Sequence, residues 1–267
     1  MVSALLCACA STAPGGRSQL TAPTGISSLY SSLDMNMRLA VSPSVMQSCA
    51  GVQCQLDTAF DLQVIRLGAR LAQSAYAADP ELKQRVPVFT FVVADKSDAG
   101  SASDSLGTVV IYRGVRTAGV TEETLAFLIA REMGHVIARH HDERSATTLL
   151  FSVIAQILIP VTSLTGGVAA IASTMVSAVG TKIVSDDKKP YQTVEAEVIA
   201  RELLKRQGWN NGEVAASLAS YTRDCGDGPW ALALKESLER FERDVPSVVM
   251  VAMNKPGWPA ATDRAAP

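Results

Sequence analysis

The chain has 267 residues, 48% of them hydrophobic and 19% charged, which suits one large or two small domains and excludes a disordered chain. With 24 basic against 26 acidic residues and a formal charge of −2, it has no electrostatic footprint for nucleic acid, and aromatic residues at 5% offer little for base stacking. Only three histidines occur, His135, His140 and His141, so any histidine chemistry is confined to one short stretch.

The first ten residues read MVSALLCACA, with no basic residue and a short apolar run. Leu6-Cys7-Ala8-Cys9 has the shape of a bacterial lipobox, with Cys9 as the lipidated residue and a leader shortened at its start. Ala10 rather than aspartate after that cysteine fits outer-membrane sorting on the periplasmic face of a bacterial envelope. Residues 11–28 are rich in Ser, Thr, Pro and Gly and read as a flexible tether, so residues 1–28 form one unit. A terminus without any role is the other reading. Cys49 and Cys54 suit a disulfide in an oxidising compartment, with Cys225 the odd thiol unless it pairs with one of them. No CxxC occurs, which argues against a zinc knuckle.

Residues 55–77 place Phe60, Val64, Leu67 and Leu71 at helical spacing. Val86–Val93 and Gly107–Tyr112 read as strands, with a polar Gly/Ser-rich loop over 95–105 between them. Thr121 caps a helix with Glu122 and Glu123 in its first turn, running to about Arg144. Residues 145–181 carry no charge, but Pro160 and Gly166-Gly167 divide them, which favours a packed helical hairpin touching a membrane over a true span. Further helices follow over 191–207, from Asn210 or Asn211 to 223, and over 229–243. The main domain covers 29–250, and 251–267 reads as a disordered tail.

Chemistry concentrates in Arg131-Glu132-Met133-Gly134-His135. On a helix, residues 131 and 135 share a face with Glu132 beside them, the arrangement in which H-E-x-x-H supplies two zinc ligands and a general base. Here the first histidine is Arg131. The stretch REMGHVIARHHDER resembles the HExGHVxxRHxxER block of zinc metallopeptidases related to heat-shock protein X and the CAAX prenyl proteases. The resemblance extends over about residues 55–245. It takes in the strand ending at Gly114, the uncharged hairpin, and Val194-Glu195-Ala196-Glu197 with Gly208-Trp209 downstream.

The resemblance implies a mostly helical α+β, zincin-like peptidase fold, with the active helix beside a small sheet. It implies Glu132 as the catalytic base, His135 as a zinc ligand, and Gly107, Val109 and Ile111 on a strand that pairs with extended substrate. That strand is either an open edge or paired on both sides. The chain departs from the family at the metal. Aligned on the family's E-x-E-A-D block, Thr193 falls on the ligand glutamate and Glu197 on the supporting aspartate, so two of three ligand positions are substituted, Arg131 and Thr193. No histidine follows His141, so the family's C-terminal "HP" histidine is missing. On a continuous helix His140 points about 140° away from His135 and Asp142 lies roughly 10 Å along the axis. Glu195 faces elsewhere on its own helix. Arg131 and Glu197 are complementary and are expected to form an ion pair with Glu132 close by, the other reading being Arg131 turned to solvent.

Three functions are weighed in this order. The first is a zinc-poor pseudopeptidase that binds extended or misfolded polypeptides, with no cofactor. The second is an active zinc metalloendopeptidase in envelope protein quality control. The third is a structural envelope lipoprotein. Membrane contact is expected through the lipid anchor and the 145–181 hairpin.

Overall fold

The computed structural model describes residues 9–14, 16–44, 51–148 and 190–243. β1 (Cys9–Thr12) and β2 (Ser18–Thr21) pair antiparallel, Cys9 opposite Thr21. The stretch read as a tether is therefore a hairpin. Gln19, Thr21 and Ala22 on its second arm are buried, and the Ala22 amide donates to the Asp142 carbonyl at 3.1 Å. Small polar residues gave no periodic signal there because the hairpin is held by backbone pairing rather than by an apolar face. After Pro23 comes α1 (Thr24–Val41), whose first five residues fall in the expected tether.

α2 (Val52–Ala78) follows the expected spacing, with Phe60, Val64, Leu67, Leu71 and Ala75 at most 3% exposed. Cys54 is disulfide-bonded; its expected partner Cys49 lies outside the described residues. Cys225 is a free thiol. After the single turn α3 (Leu82–Arg85), a mixed sheet forms from β3 (Thr90–Ala94), β4 (Ser101–Ser103) and β5 (Thr108–Tyr112). The strand order is β3-β5-β4, β5 running parallel to β3 and antiparallel to β4. β5 is therefore central and paired on both sides. Gly107, Val109 and Ile111 do not form an open peptide-binding edge, and Val109 and Ile111 are fully buried. β4 lies in the region read as a loop. Asp104 shapes its turn into β5 by accepting from the Leu106 and Thr108 amides, and Gly107 closes that turn at φ 95°.

After the turn α4 (Gly114–Thr117), α5 (Glu122–Ile137) runs through the middle of the core. The Thr121 hydroxyl caps it, accepting from the Thr124 amide at 3.3 Å. Every residue from Thr124 to Ile137 is buried, and full burial of Leu125, Phe127, Leu128, Ile129 and Met133 contributes roughly 1.5–3 kcal/mol each. The helix does not continue to Arg144. It stops at Ala138, where Arg85 donates to the Val136 and Ile137 carbonyls at 3.0 Å each, and Arg139 takes a left-handed turn with φ 62°. A new helix, α6 (residues 140–148), starts immediately after that turn.

α7 (Pro190–Arg206), α8 (Asn211–Asp224, capped by Asn210) and α9 (Pro229–Glu242) complete the described chain close to their expected bounds. α7 crosses α5 at Gly134, where a Cβ would sit 2.4 Å from the Ala196 carbonyl oxygen. The crossing therefore demands glycine. No helix of the described residues is long and apolar enough to cross a membrane. The expected hairpin beyond Thr148 and the tail over 251–267 lie outside the described residues.

Candidate functional site

α5 carries Arg131, Glu132 and His135, and each is at most 3% exposed. β4 lies alongside and supplies two hydroxyls. Ser101 Oγ donates to Glu132 Oε1 at 2.8 Å, and Ser103 Oγ donates to Glu132 Oε2 at 2.9 Å. Since the Ser103 proton is directed at the carboxylate, His141 Nε2, 3.0 Å from Ser103 Oγ, is assigned as the donor to that oxygen. Trp230 Nε1 donates to Ser101 Oγ at 3.4 Å from α9.

The break at Arg139 brings the other histidine back. His140 does not point away from His135; their Nδ1 atoms are 2.9 Å apart. Glu195 also joins this chain, with Oε2 3.1 Å from His140 Nε2. Arg17, from the hairpin read as a tether, donates to the same Glu195 oxygen at 3.2 Å and to both oxygens of Glu143 at 3.1 and 3.0 Å. Tyr191 and Gln192 also donate to Glu143, at 2.7 and 3.0 Å. Asp142 takes no part; it accepts from Arg139 Nε at 2.8 Å and from Ser27 of α1.

Burial holds the His140 imidazole below its ordinary range despite the neighbouring Glu195, so it is neutral at pH 7. Burial alone would raise Glu195, but hydrogen bonds from His140 and Arg17 outweigh it and hold the carboxyl below the usual range. Glu143 is lowered in the same way against its own burial, chiefly by Arg17. An ionised carboxylate only accepts, so His140 Nε2 carries the proton and His140 Nδ1 accepts. His135 Nδ1 is then the donor between the two rings.

Arg131 turns the other way, into the contact between α5, α7 and α9. It is 2% exposed, so it does not reach solvent. It also does not pair directly with Glu197. Arg131 Nη1 donates to Ser237 Oγ at 3.2 Å, and Ser237 Oγ donates to Glu197 Oε1 at 2.6 Å. The carboxylate belongs to Arg240, which grips it through Nε at 2.7 Å and Nη2 at 2.9 Å. Arg131 Nε has no hydrogen-bond partner among the described residues. Glu132, expected close to this pair, faces β4 instead. Thr193 is half-buried on α7.

These residues do not fit a catalytic zinc ion, which needs three protein ligands and a water. A guanidinium and a hydroxyl stand at the two positions that the resemblance assigns to ligands. Glu195 approaches His140 on the side of the ring opposite to His135. Among the described residues, no three His, Cys, Asp or Glu side chains are placed to share a metal.

Access to Glu132 and His135 is narrow. A cavity of about 20 Å³, room for one water, is lined by these two with Ser103, His141 and, from α1, Asp34 and Met35. Arg38 and Ser101 border both this cavity and a wider one of about 490 Å³ lined by Val41, Gly100, Tyr112, Pro229 and Trp230. α1 thus lies across the cleft, beside β4.

Ser101, Ser103, Ser237, Arg240 and Arg17 are the functional residues that sequence spacing missed. None belongs to a metal-ligand pattern, and each acts through a contact between distant segments. Residues 59–240 match the model of peptidase family M48. No curated protein matches the chain.

Proposed function

Starting from the chain's membership of peptidase family M48, we propose that it uses its metallopeptidase-like domain to bind extended or misfolded polypeptides and not to cut them through zinc. It does so in the bacterial envelope, anchored by lipid on Cys9. The observation that carries this reading is the buried Arg131, tied through Ser237 to the Glu197–Arg240 pair. A polar cluster joins α5, α7 and α9 where the family resemblance puts a metal ligand and its supporting carboxylate. Without a metal, a water keeps its pKa far above neutrality. Glu132, already accepting from two serines, would have no activated water to deprotonate and no polarised carbonyl to attack.

The polypeptide surface in this reading is the cavity of about 490 Å³, which β4 borders at Ser101. Its volume lies within the range of about 300–1,000 Å³ usual for ligand clefts, and Trp230 and Tyr112 give it apolar walls. The disulfide at Cys54 is consistent with an oxidising compartment. An active zinc endopeptidase is the second reading, favoured by Glu132 and His135 lining the same small cavity.

Incubation with unfolded, alkylated casein tests the choice. The expected result is retention of casein by the protein and recovery of the casein uncut; cleavage abolished by Glu132→Gln would establish the second reading. Absence of any binding would leave a structural lipoprotein. Membrane fractionation with mass analysis of the amino terminus tests the anchor. Cys9→Ala should release the protein, and wild-type protein without lipid mass would remove that part of the proposal.

A further inference from the structure

α1 is inverted relative to an ordinary surface helix. Towards the protein it turns Ser27, Ser31 and Met35, all buried. Ser27 donates to Asp142, Ser31 Oγ lies 2.9 Å from Ser105 Oγ, and Ser32 donates to Asp104 at 3.3 Å. Its two charged side chains, Asp34 and Arg38, lie on this inner side and pair with each other at 3.0 Å, with Arg144 3.6 Å from Asp34. Outwards it turns Ile26, Leu29, Leu33 and Ala40, which fall within an arc of about 60° at helical spacing. Ile26 and Leu33 are each 42% exposed and Leu29 75% exposed. No charge interrupts this stripe. A helix that spends its polar face on its own domain and leaves an apolar face open has a partner for that face.

We propose that the outer face of α1 seats on a lipid surface. The choice of lipid rests on the proposed acylation of Cys9, and the hairpin supplies the geometry. Cys9 stands directly across from Thr21, and α1 begins three residues later. A cross-strand step of about 5 Å plus three residues of chain places the anchor residue within about 16 Å of the start of the helix. A bilayer holding an acyl chain at Cys9 is therefore within reach of Ile26, Leu29 and Leu33. The stripe is uncharged, so the attraction is hydrophobic and needs neither anionic lipid nor low salt. The same helix lies across the cleft over Glu132 and His135, so the bilayer would lie on the side of α1 facing away from that cleft.

The test uses the full polypeptide without acylation (Cys9→Ala) and neutral phosphatidylcholine vesicles, so it does not depend on whether Cys9 is lipidated in cells. Wild-type α1 should float with the vesicles, equally at low and high salt. Each of Leu29→Ser and Leu33→Ser should weaken flotation roughly tenfold, since full burial of one leucine is worth at least that factor. Both positions are exposed, so the far-ultraviolet circular dichroism should not change. Leu62→Ser, on α2 at an exposure between those of Leu29 and Leu33, should float as the parent does. The proposal is overturned if the parent protein does not float, or if the two α1 variants float undiminished. It is also overturned if the parent stays in solution as a dimer that Leu33→Ser dissociates, which would assign the stripe to a second copy of the chain.

Discussion

Replacing Glu197 by alanine tests the cluster that stands near the expected metal position. The carboxylate is 1% exposed and receives three short hydrogen bonds, from Ser237 at 2.6 Å and from Arg240 at 2.7 and 2.9 Å. Removing it leaves Arg131 and Arg240 as two guanidinium groups around Ser237 with no shared anion. Breaking a buried ion pair from one side costs about 3–5 kcal/mol. At roughly 2–4 °C per kcal/mol for a domain of this size, the melting temperature should fall by about 6–20 °C. Arg131 itself should behave differently. Among the described residues it has one hydrogen bond, at 3.2 Å, and an Nε without a partner, so its burial is poorly compensated. An apolar side chain of similar length avoids that desolvation, and Arg131→Met should unfold within about 1.5 kcal/mol of the parent. Denaturant unfolding followed by circular dichroism measures both. A loss below about 1 kcal/mol for Glu197→Ala would refute the reasoning, because buried charges that are cheap to break are not holding α5, α7 and α9 together.

Gly134→Ala should destabilise by about 1–3 kcal/mol through overpacking, because its Cβ would meet the Ala196 carbonyl oxygen at 2.4 Å; thermal unfolding at the parent's midpoint checks this. Stability should decline on acidification in two stages. The folded-state value of His140 lies below its ordinary 6.5, so the unfolded chain takes up protons first and stability falls from about pH 6.5 downward. Glu143 and Glu195 also lie below their ordinary 4.5, so their contribution is intact above that value and is lost as pH drops through their folded values. Melting temperatures between pH 8 and 3 measure the profile, and His140→Gln should flatten its upper stage. The triple change Arg131→His, Thr193→Glu and Glu197→Asp should give a protein that takes up zinc in isothermal titration where the parent does not, since it restores three ligand positions and the smaller supporting carboxylate.

The long helices were legible because their burial is periodic. Phe60, Val64, Leu67 and Leu71 state the inner face of α2, and Thr121 and Asn210 state where α5 and α8 begin. The active stretch was also legible, since Arg131, Glu132 and His135 lie in consecutive turns of one helix. What escaped is non-local. The left-handed turn at Arg139 has no glycine to announce it and is held by Arg85, more than fifty residues earlier. A continuous helix separates His135 from His140; this turn brings them to 2.9 Å. β4 is three small residues long and carries no alternation, yet it supplies both hydroxyls on Glu132 and makes β5 an interior strand. The complementarity of Arg131 and Glu197 pointed to the correct contact between helices, but Ser237 and Arg240 on α9 intervene between the two, and nothing in their spacing from residue 131 marks them.

The account turns on whether zinc is bound. Metal content of the wild-type protein, purified without chelators from cells grown with added zinc, measures this directly by elemental mass spectrometry. If Arg131 and Thr193 stand at the two positions that the resemblance assigns to ligands, zinc should be far below one atom per chain, unchanged by Glu132→Gln. One tightly held zinc per chain, lost on His135→Ala, would contradict the account and return the protein to the catalytic members of its family.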